Sequence, residues 1–593
     1  MCKKIFEIII FTLFSLALLI LSISLYIKFL WPQADYEQII MTLHDLTPQI
    51  ISENIFLSDI FGGLATFIIL WPFLSLKLSA KKQCFAIFII VAICLYISGF
   101  ITYAINSRKE TLLYEKQYIS PDKLKIEFPE KKRNLVLIYL ESFEQNFTQS
   151  KHYQKNLLPH LQALQNSDNH LKNFHIASGT NYSIASLIAG HCGIPLRYKS
   201  DMDIYNLRYF LPQAKCFSQV LQENGYQTRI IKAADITFTR ADIFSKSHGY
   251  QAALGVDELK TLYPQTQQVT AQGTFGGIND RTLFDIARQE IINFDKDKPF
   301  LLTLFTLDTH TPSYYKDPAC KQEFNDLRDA FMCTDKIVTE FIDWLKTSPY
   351  WENTTVVIIG DHLLSTRIKT DGHPKHAIYN VFLNLPEGLA IKNNKLFSTF
   401  DLTPTILESL DIKLSPRAYG LGRSLFADEP TLAEQLGSKL NTQLFQKSAV
   451  YENFHKSPQK HILHYTPYAL NQTLTQKDFL NYTDAYEELL GQIYLDQLNL
   501  ELPQIPQHDL IVNIEFNALT STNKHLTFMV NNQEIASMKI KQNQKFPCTF
   551  SFTIPKERLT TNKIQLQFRN SSASISPTQL GIAPIKLTIM PKK

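Results

Sequence analysis

The chain reads as an α/β protein with regions of a different kind on either side of it. Three membrane-spanning helices precede the α/β unit and a β-sandwich follows it. Three observations predict this. The first 107 residues hold three uncharged apolar runs; residues 133–426 alternate short apolar strands with amphipathic helices; and residues 509–593 hold strands alone. The composition agrees. Charged residues make up 19% and apolar residues 45%, against roughly a quarter charged in soluble domains, so part of the chain sits where charge is costly. With 59 Lys+Arg against 55 Asp+Glu, a net +4, no basic footprint for nucleic acid is present. The length of 593 residues exceeds one core, and 12% aromatic residues exclude wholesale disorder. Eight cysteines without a CxxC pair exclude a disulfide-dense scaffold and a zinc knuckle.

The membrane region is expected over residues 1–107, with helices at about 8–27, 60–76 and 83–107. Ile8–Ile27 carries no charge and matches the roughly 20 residues a bilayer core requires. A cleaved signal peptide is the competing reading of that run, but no small-x-small site follows it and two further runs do. Lys3 and Lys4 precede the first run, and Lys77, Lys81 and Lys82 lie between the second and third. The loop between the first two holds Asp35, Glu37, Asp45 and Glu53. The positive-inside rule then places the N-terminus in the cytoplasm and everything after Ser107 outside, so the protein is expected in the inner membrane with an extracytoplasmic body.

A polar connector, 108–132, leads into the α/β unit, 133–426. Asn134–Tyr139, Thr228–Ile231, Leu301–Leu307 and Thr355–Ile359 are short, largely apolar segments that read as buried strands of a parallel sheet. Helical periodicity lies between them at 154–165, 183–190, 280–293 and 326–346. Residues 427–508 are mixed and take no assignment. From Asp509 onward, six short strands with alternating faces and polar turns read as the β-sandwich.

Chemistry gathers at the strand ends. The first strand runs into Glu141-Ser142, the third into Asp308-Thr309-His310, and the fourth into Gly360-Asp361-His362. In open α/β sheets ligands bind at that edge, and carboxylate with imidazole suits a divalent metal such as Zn²⁺ or Mn²⁺. Any one of these groups alone would be an ordinary solvated loop. Residues 178–190, SGTNYSIASLIAG, bring hydroxyls to the start of an apolar helix, where unpaired N–H groups stabilise an alkoxide or a phosphate. A plain serine N-cap is the competing reading there.

Taken together these segments resemble the membrane-anchored branch of the alkaline phosphatase–sulfatase superfamily, which holds lipoteichoic acid synthases, phosphoethanolamine transferases and the phosphoglycerol transferases that modify periplasmic glucans. The last group is the nearest likeness. The segments that carry it are LVLIYLESFE (135–144), SGTNYSIASLIAGHCGIPL (178–196), DIFSKSHGY (242–250), TLDTHTP (306–312), IGDHL (359–363) and GLGRSL (420–425). The region beyond about 500 resembles, more distantly, the accessory β domain of some glycerophosphotransferases. The resemblance implies an alkaline-phosphatase-like domain with a mostly parallel central sheet and one divalent metal. Mn²⁺ or Mg²⁺ suits the oxygen-rich ligand set, and Zn²⁺ is also compatible. It implies Glu141, Asp361 and His362 as ligands, with the nucleophile hydroxyl as the fourth. Two residues compete for that hydroxyl. Aligning the helix selects Ser183, whereas the family's usual threonine selects Thr180. His310 takes the position that contacts the phosphate or protonates the leaving oxygen, with Asp308 beside it. The family's phosphate-binding cation usually precedes the Asp of the DIFSKSHGY segment; here Ala241 stands there and Arg240 one residue earlier. His373 corresponds to a substrate-side histidine of the phosphoethanolamine branch or to a surface loop residue.

Cys192 with Cys216, and Cys320 with Cys333, stand where the glucan-modifying transferases carry cysteines, so two local disulfides are implied. The function implied is transfer of glycerophosphate from phosphatidylglycerol to a glycan acceptor through a covalent enzyme intermediate. Three alternatives compete: phosphoethanolamine transfer to lipid A; a sulfatase or phosphodiesterase; and a non-enzymatic membrane-anchored glycan-binding protein. Sulfatases require a Cys/Ser-x-Pro-x-Arg motif, and Ser183-Ile-Ala-Ser-Leu lacks its Pro and Arg.

Overall fold

The computed structural model describes residues 80–593 apart from short segments, the longest being 198–209, 264–275, 476–486 and 571–582, and before residue 80 it describes Ile9 and Leu13. The first two apolar runs therefore lie outside the described residues, apart from those two positions, which are helical. The third run is two helices, α1 (Ala80–Ile97) and α2 (Phe100–Asn106), parted at Gly99, whose φ of 78° is left-handed. Glycine adopts that conformation without steric cost, so the single span expected over 83–107 is broken there. Among the described residues no helix is long and apolar enough to cross a membrane.

The described residues divide into two compact units. The first ends at Phe454; the second runs from His455 to Lys593 and includes Arg208–Gln213. In the first, six strands form one sheet: β1 (Asn134–Leu140), β2 (Gln227–Lys232), β3 (Ala252–Leu254), β4 (Phe300–Phe305), β5 (Thr354–Gly360) and β6 (Asn380–Leu383), in the order β3-β2-β4-β1-β5-β6. All pairings are parallel except β5 with β6. β4 and β5 are buried along their whole length and β1 from its second residue, as their unbroken apolar runs require. The run read as ending at Leu307 ends as a strand at Phe305; beyond it the Thr306 N–H still donates to the Tyr139 carbonyl (3.1 Å), and its Oγ1 accepts from the Glu141 N–H just after β1. The short strands β3 and β6 carry too few apolar residues to stand out in the sequence.

Helices cover both faces of this sheet. Val136, Ile138 and Leu140 of β1 share one apolar core with Leu283 and Phe284 of α4 (Asp280–Asn293) and Phe331 and Phe341 of α5 (Leu327–Thr347). On the opposite face, Tyr139 stacks on His191 of α3 (Ser183–Cys192), with ring centroids 6.0 Å apart. Alternation along β1 thus sends successive side chains to different helices. The helical pattern at 154–165 settles as a helix at Pro159–Ser167, because Gln154, at φ 66°, ends a preceding short turn. Cys192–Cys216 and Cys320–Cys333 are disulfides.

In the second unit a five-stranded and a four-stranded sheet contribute to a common core. Leu500, Phe528 and Leu566 come from one sheet, and Val512, Ile514, Ile554 and Leu587 from the other. The mixed stretch before it ends the first unit with helices as far as Phe454, then supplies strands Ile462–Tyr465, Thr473–Thr475 and Gln497–Glu501 to these sheets.

Candidate active site

The C-terminal edge of the first sheet is built by three turns that hold one another. Beyond β1, the Glu141 N–H donates to Thr306 Oγ1 (2.9 Å) and the Glu141 carbonyl accepts from Thr309 Oγ1 (2.6 Å), so the loop after β4 braces the residue after β1. Ser142 turns at φ 59°; its N–H donates to Asp361 Oδ1 (2.8 Å) and its hydroxyl to Glu141 Oε1 (2.7 Å). Gly360 lets β5 lie against this turn, since a Cβ there would stand 2.0 Å from the Phe143 carbonyl oxygen. The Asp361 N–H then donates to the Leu140 carbonyl (3.0 Å) and the His362 N–H to Asp361 Oδ1 (2.7 Å).

Ser183 opens α3, and its Oγ lies 3.4 Å from His362 Nε2. The preceding loop is anchored separately. Gly179 adopts φ +74°, and a Cβ on it would lie 2.3 Å from the Leu196 carbonyl oxygen. Thr180 is buried, with its hydroxyl donating to the Ala177 carbonyl (2.8 Å). Asn181 Oδ1 accepts from the Leu363 N–H (3.2 Å), tying this loop to the segment after His362. Of the two competing hydroxyls, that of Ser183 faces the carboxylate–imidazole cluster and that of Thr180 serves its own loop.

Glu141, Asp361 and His362 are buried, and their ligand-type atoms lie within 4.8 Å of one another. His362 Nε2 is 3.4 Å from Asp361 Oδ2 and 3.6 Å from Glu141 Oε1. Asp361 Oδ2 is buried without a hydrogen-bond partner. Burial, with the neighbouring charge of Glu141, pushes the Asp361 carboxyl up to about 6. Burial disfavours the His362 imidazolium, yet Asp361 and Glu141 hold its pKa above the ordinary value. His362 Nδ1 lies 2.8 Å from the Leu363 carbonyl; a proton on that nitrogen leaves a lone pair on Nε2, facing the carboxylates. Two carboxylates, a ring nitrogen and a hydroxyl around an orphaned buried oxygen fit a divalent cation in charge and donor type.

The remaining candidates spread outward. His310 is half-buried beyond β4, and its pKa is pulled down to about 4 by burial and then by the charge of His362. Asp308 accepts from the Asp280 N–H through Oδ2 (3.0 Å), at the first turn of α4. Burial and the Asp280 carboxylate hold its carboxyl well above the usual range. Arg240 has φ 58° and faces Asp242, with Nε 3.5 Å from Oδ1. His373 is exposed in the loop after Gly372.

Two groups escape the sequence pattern. Glu144 is buried in the segment after Glu141; its Oε1 accepts from the Leu364 N–H (2.9 Å) and its Oε2 lies 2.5 Å from His376 Nδ1. Lys232 is the last residue of β2, in register with Phe305, and only 8% exposed. The apolar pattern ends that strand one residue earlier, at Ile231. A cation closing a buried strand is the available signal, but it is indistinguishable in sequence from the ordinary solvated end of a strand.

Part of the chain is similar to known proteins. The sulfatase family model matches residues 133–412, so the resemblance carried by the motifs holds for this segment. Phosphoglycerol transferase I of Xanthomonas axonopodis pv. citri (strain 306) is 30% identical over 325 residues, covering 52% of this chain and 45% of that protein. Phosphoglycerol transferase I of Salmonella paratyphi B is 31% identical over 311 residues, covering 50% and 39%. The match thus spans less than half the length of either relative. Among solved structures, a Vibrio parahaemolyticus protein of the alkaline phosphatase superfamily aligns with TM-score 0.42 and 19% identity over 56% of this chain and 78% of that one. A lipoteichoic acid synthase from Listeria monocytogenes aligns with TM-score 0.39 and 20% identity over 51% and 78%.

Proposed function

We propose that the unit containing residues 133–426 transfers glycerophosphate from phosphatidylglycerol to a hydroxyl of an extracytoplasmic glycan, which we read as a periplasmic glucan. The observation that carries this is the Ser183 hydroxyl at the head of α3, 3.4 Å from His362 Nε2 in a cluster completed by Glu141 and Asp361. The curated relatives named as phosphoglycerol transferases support the choice of transferred group.

In this reading Ser183 Oγ attacks the phosphorus. The bond from phosphorus to the diacylglycerol oxygen breaks, that oxygen gains a proton in exchange for the one Ser183 gives up, and glycerophosphate is left on Ser183. An acceptor hydroxyl then attacks the same phosphorus and displaces Ser183 Oγ, which regains a proton as the acceptor loses its own. Glu141, Asp361, His362 and Ser183 would hold a divalent metal, whose Lewis acidity favours the ionised hydroxyl and tempers the charge of the phosphoryl oxygens. The unpaired N–H groups at the start of α3 face the same developing charge. In the free site, the lowered pKa leaves the His310 ring neutral and able to accept a proton. An anionic phosphodiester beside it favours the imidazolium, which can protonate the departing glycerolipid oxygen.

Membrane helices before residue 108 would keep this site within reach of a lipid headgroup, and the orientation drawn from Lys3, Lys4, Lys77, Lys81 and Lys82 sets it outside the cytoplasm. The unit from His455 onward is read as a β-sandwich accessory domain. The test is incubation of the full chain with phosphatidylglycerol labelled in its headgroup. Diacylglycerol release with label on Ser183 supports the proposal. Label entering only from phosphatidylethanolamine would favour phosphoethanolamine transfer instead, and no label from either donor would refute a covalent phospholipid transferase.

A further inference from the structure

We propose that Lys232 binds the non-bridging oxygens of the substrate phosphate. The inference deepens the reading above and rests on it for the identity of the phosphate ester. Lys232 closes β2, two positions from β1 in the sheet, with β4 between. β2 ends on Lys232, β4 leads into the turn that carries His310, and β1 leads into Glu141, so the amine belongs to the edge that holds the carboxylate cluster. Its charged neighbours are Glu141, Asp235, Asp361 and Asp242. It also acts on His310, helping to disfavour the imidazolium.

Lys232 is more than nine-tenths buried. Its ammonium lies over the Phe238 ring at 5.8 Å and makes no ion pair within 4.0 Å with any described residue. An ammonium presents three donors, and burying it without a partner is costly. Burial pulls its pKa down to about 8, opposed by the surrounding carboxylates, and an arriving phosphate would favour its ammonium form. A metal held by Glu141 and Asp361 would consume much of the negative charge that faces it. Its donors then remain for an anion at the same sheet edge.

The position that usually supplies a phosphate-binding cation in the resembled family is Ala241 here, and the adjacent Arg240 faces Asp242. Lys232 brings a cation to this edge from another strand. The competing role is a structural counter-charge for the acidic cluster, and the two roles separate experimentally.

The test uses the full chain, loaded with Mn²⁺, as wild type, Lys232→Met and Lys232→Arg. Affinity for inorganic phosphate is measured by calorimetry, metal content by mass spectrometry, and the rate of Ser183 labelling from phosphatidylglycerol. Methionine keeps an unbranched side chain of similar length without the charge. Lys232→Met should retain the metal, weaken phosphate at least tenfold and slow labelling about a hundredfold. Lys232→Arg should retain the metal and weaken phosphate three- to fivefold, since its larger head displaces the charge. Phosphate affinity of Lys232→Met within twofold of wild type, or loss of its metal, would overturn the assignment in favour of a counter-charge. If Lys232→Met does not fold, Lys232→Arg decides, and an unchanged phosphate constant in a metal-loaded Arg variant rejects direct contact. A wild-type protein that binds phosphate yet is never labelled would defeat the transferase reading and leave Lys232 to be judged on the phosphate constants alone.

Discussion

The Ser183 hydroxyl oxygen stands 3.4 Å from Nε2 of His362, across 179 residues of chain. Two independent pieces of backbone make the meeting: the turn after β5, which sets His362 against Asp361, and the start of α3, which presents Ser183 as its first residue. The bond between Asn181 Oδ1 and the Leu363 N–H fastens one piece to the other. The proposed chemistry depends on that fastening as much as on the two side chains.

Replacing Asp361 tests the metal site. Its Oδ1 holds two backbone N–H groups and its Oδ2 is the orphaned oxygen. Asp361→Asn keeps the shape but loses the charge. The wild-type protein should gain about 2.7 kcal/mol of stability in Mn²⁺ at a hundredfold excess over Kd, seen as a higher Tm, whereas Asp361→Asn should gain little and retain no stoichiometric metal. An unchanged response to Mn²⁺ in the variant would remove Asp361 from the ligand set.

The two hydroxyls predict opposite phenotypes. Ser183→Ala should abolish labelling and diacylglycerol release while leaving Tm nearly unchanged. Thr180→Val strips the Ala177 carbonyl of its buried donor and should cost about 1–2 kcal/mol of stability while labelling persists. Labelling that survives Ser183→Ala and disappears in Thr180→Val would transfer the nucleophile to Thr180.

Gly179 offers a backbone test. Its φ is +74°, and a Cβ on it would meet the Leu196 carbonyl oxygen at 2.3 Å, which leaves no room for a side chain. Gly179→Ala should cost about 3 kcal/mol and lower activity through displacement of the loop that leads into Ser183. Chemical denaturation alongside the labelling assay measures both effects, and a variant as stable and active as wild type would contradict the loop geometry.

The Glu144–His376 pair predicts a pH dependence of stability. The hydrogen bond with Glu144 raises the His376 pKa above its ordinary 6.5, against the effect of burial. A raised folded-state pKa means the contribution is complete below the unfolded value of about 6.5 and is lost as pH rises through the folded one. His376→Gln should flatten the decline in stability as pH rises above about 6.5, measured by urea unfolding. Since His376 is partly exposed, solvent screening keeps the effect small, and equal slopes in both proteins would dismiss the pair as a contributor.

The disulfide Cys320–Cys333 closes a loop of 13 residues. Replacing both cysteines with serine should cost about 3 kcal/mol by loop-closure entropy, visible as a lower Tm, and an unchanged Tm would mean that the unfolded chain is already restrained there.

The strand runs that carry Glu141 and Asp361 are legible because doubly covered parallel strands need uninterrupted apolar residues, and such runs show in any sequence. The same reasoning is silent on β3 and β6, which hold three and four residues and gain their stability from neighbours. Asp308 shows a different limit. Its place two residues before His310 suggests a partnership, whereas its Oδ2 serves the Asp280 N–H at the start of α4, a contact between segments 28 residues apart that no local pattern encodes.

What the sequence determined by itself is the set of chemical groups at the strand ends, since hydrophobic period and strand length are local properties of the chain. What only the tertiary structure decided is which of those groups face one another. Ser183 and Thr180 lie three residues apart and are chemically near-equivalent; beyond the left-handed turn at Gly179, where a Cβ would meet the Leu196 carbonyl, one hydroxyl bonds within its own loop and the other lies at His362. Lys232 is an ordinary strand end until Phe238 and the neighbouring strands bury it. Burial and distance arise from packing between segments far apart in the chain, and they turn a common serine and a common lysine into candidates for phosphate chemistry.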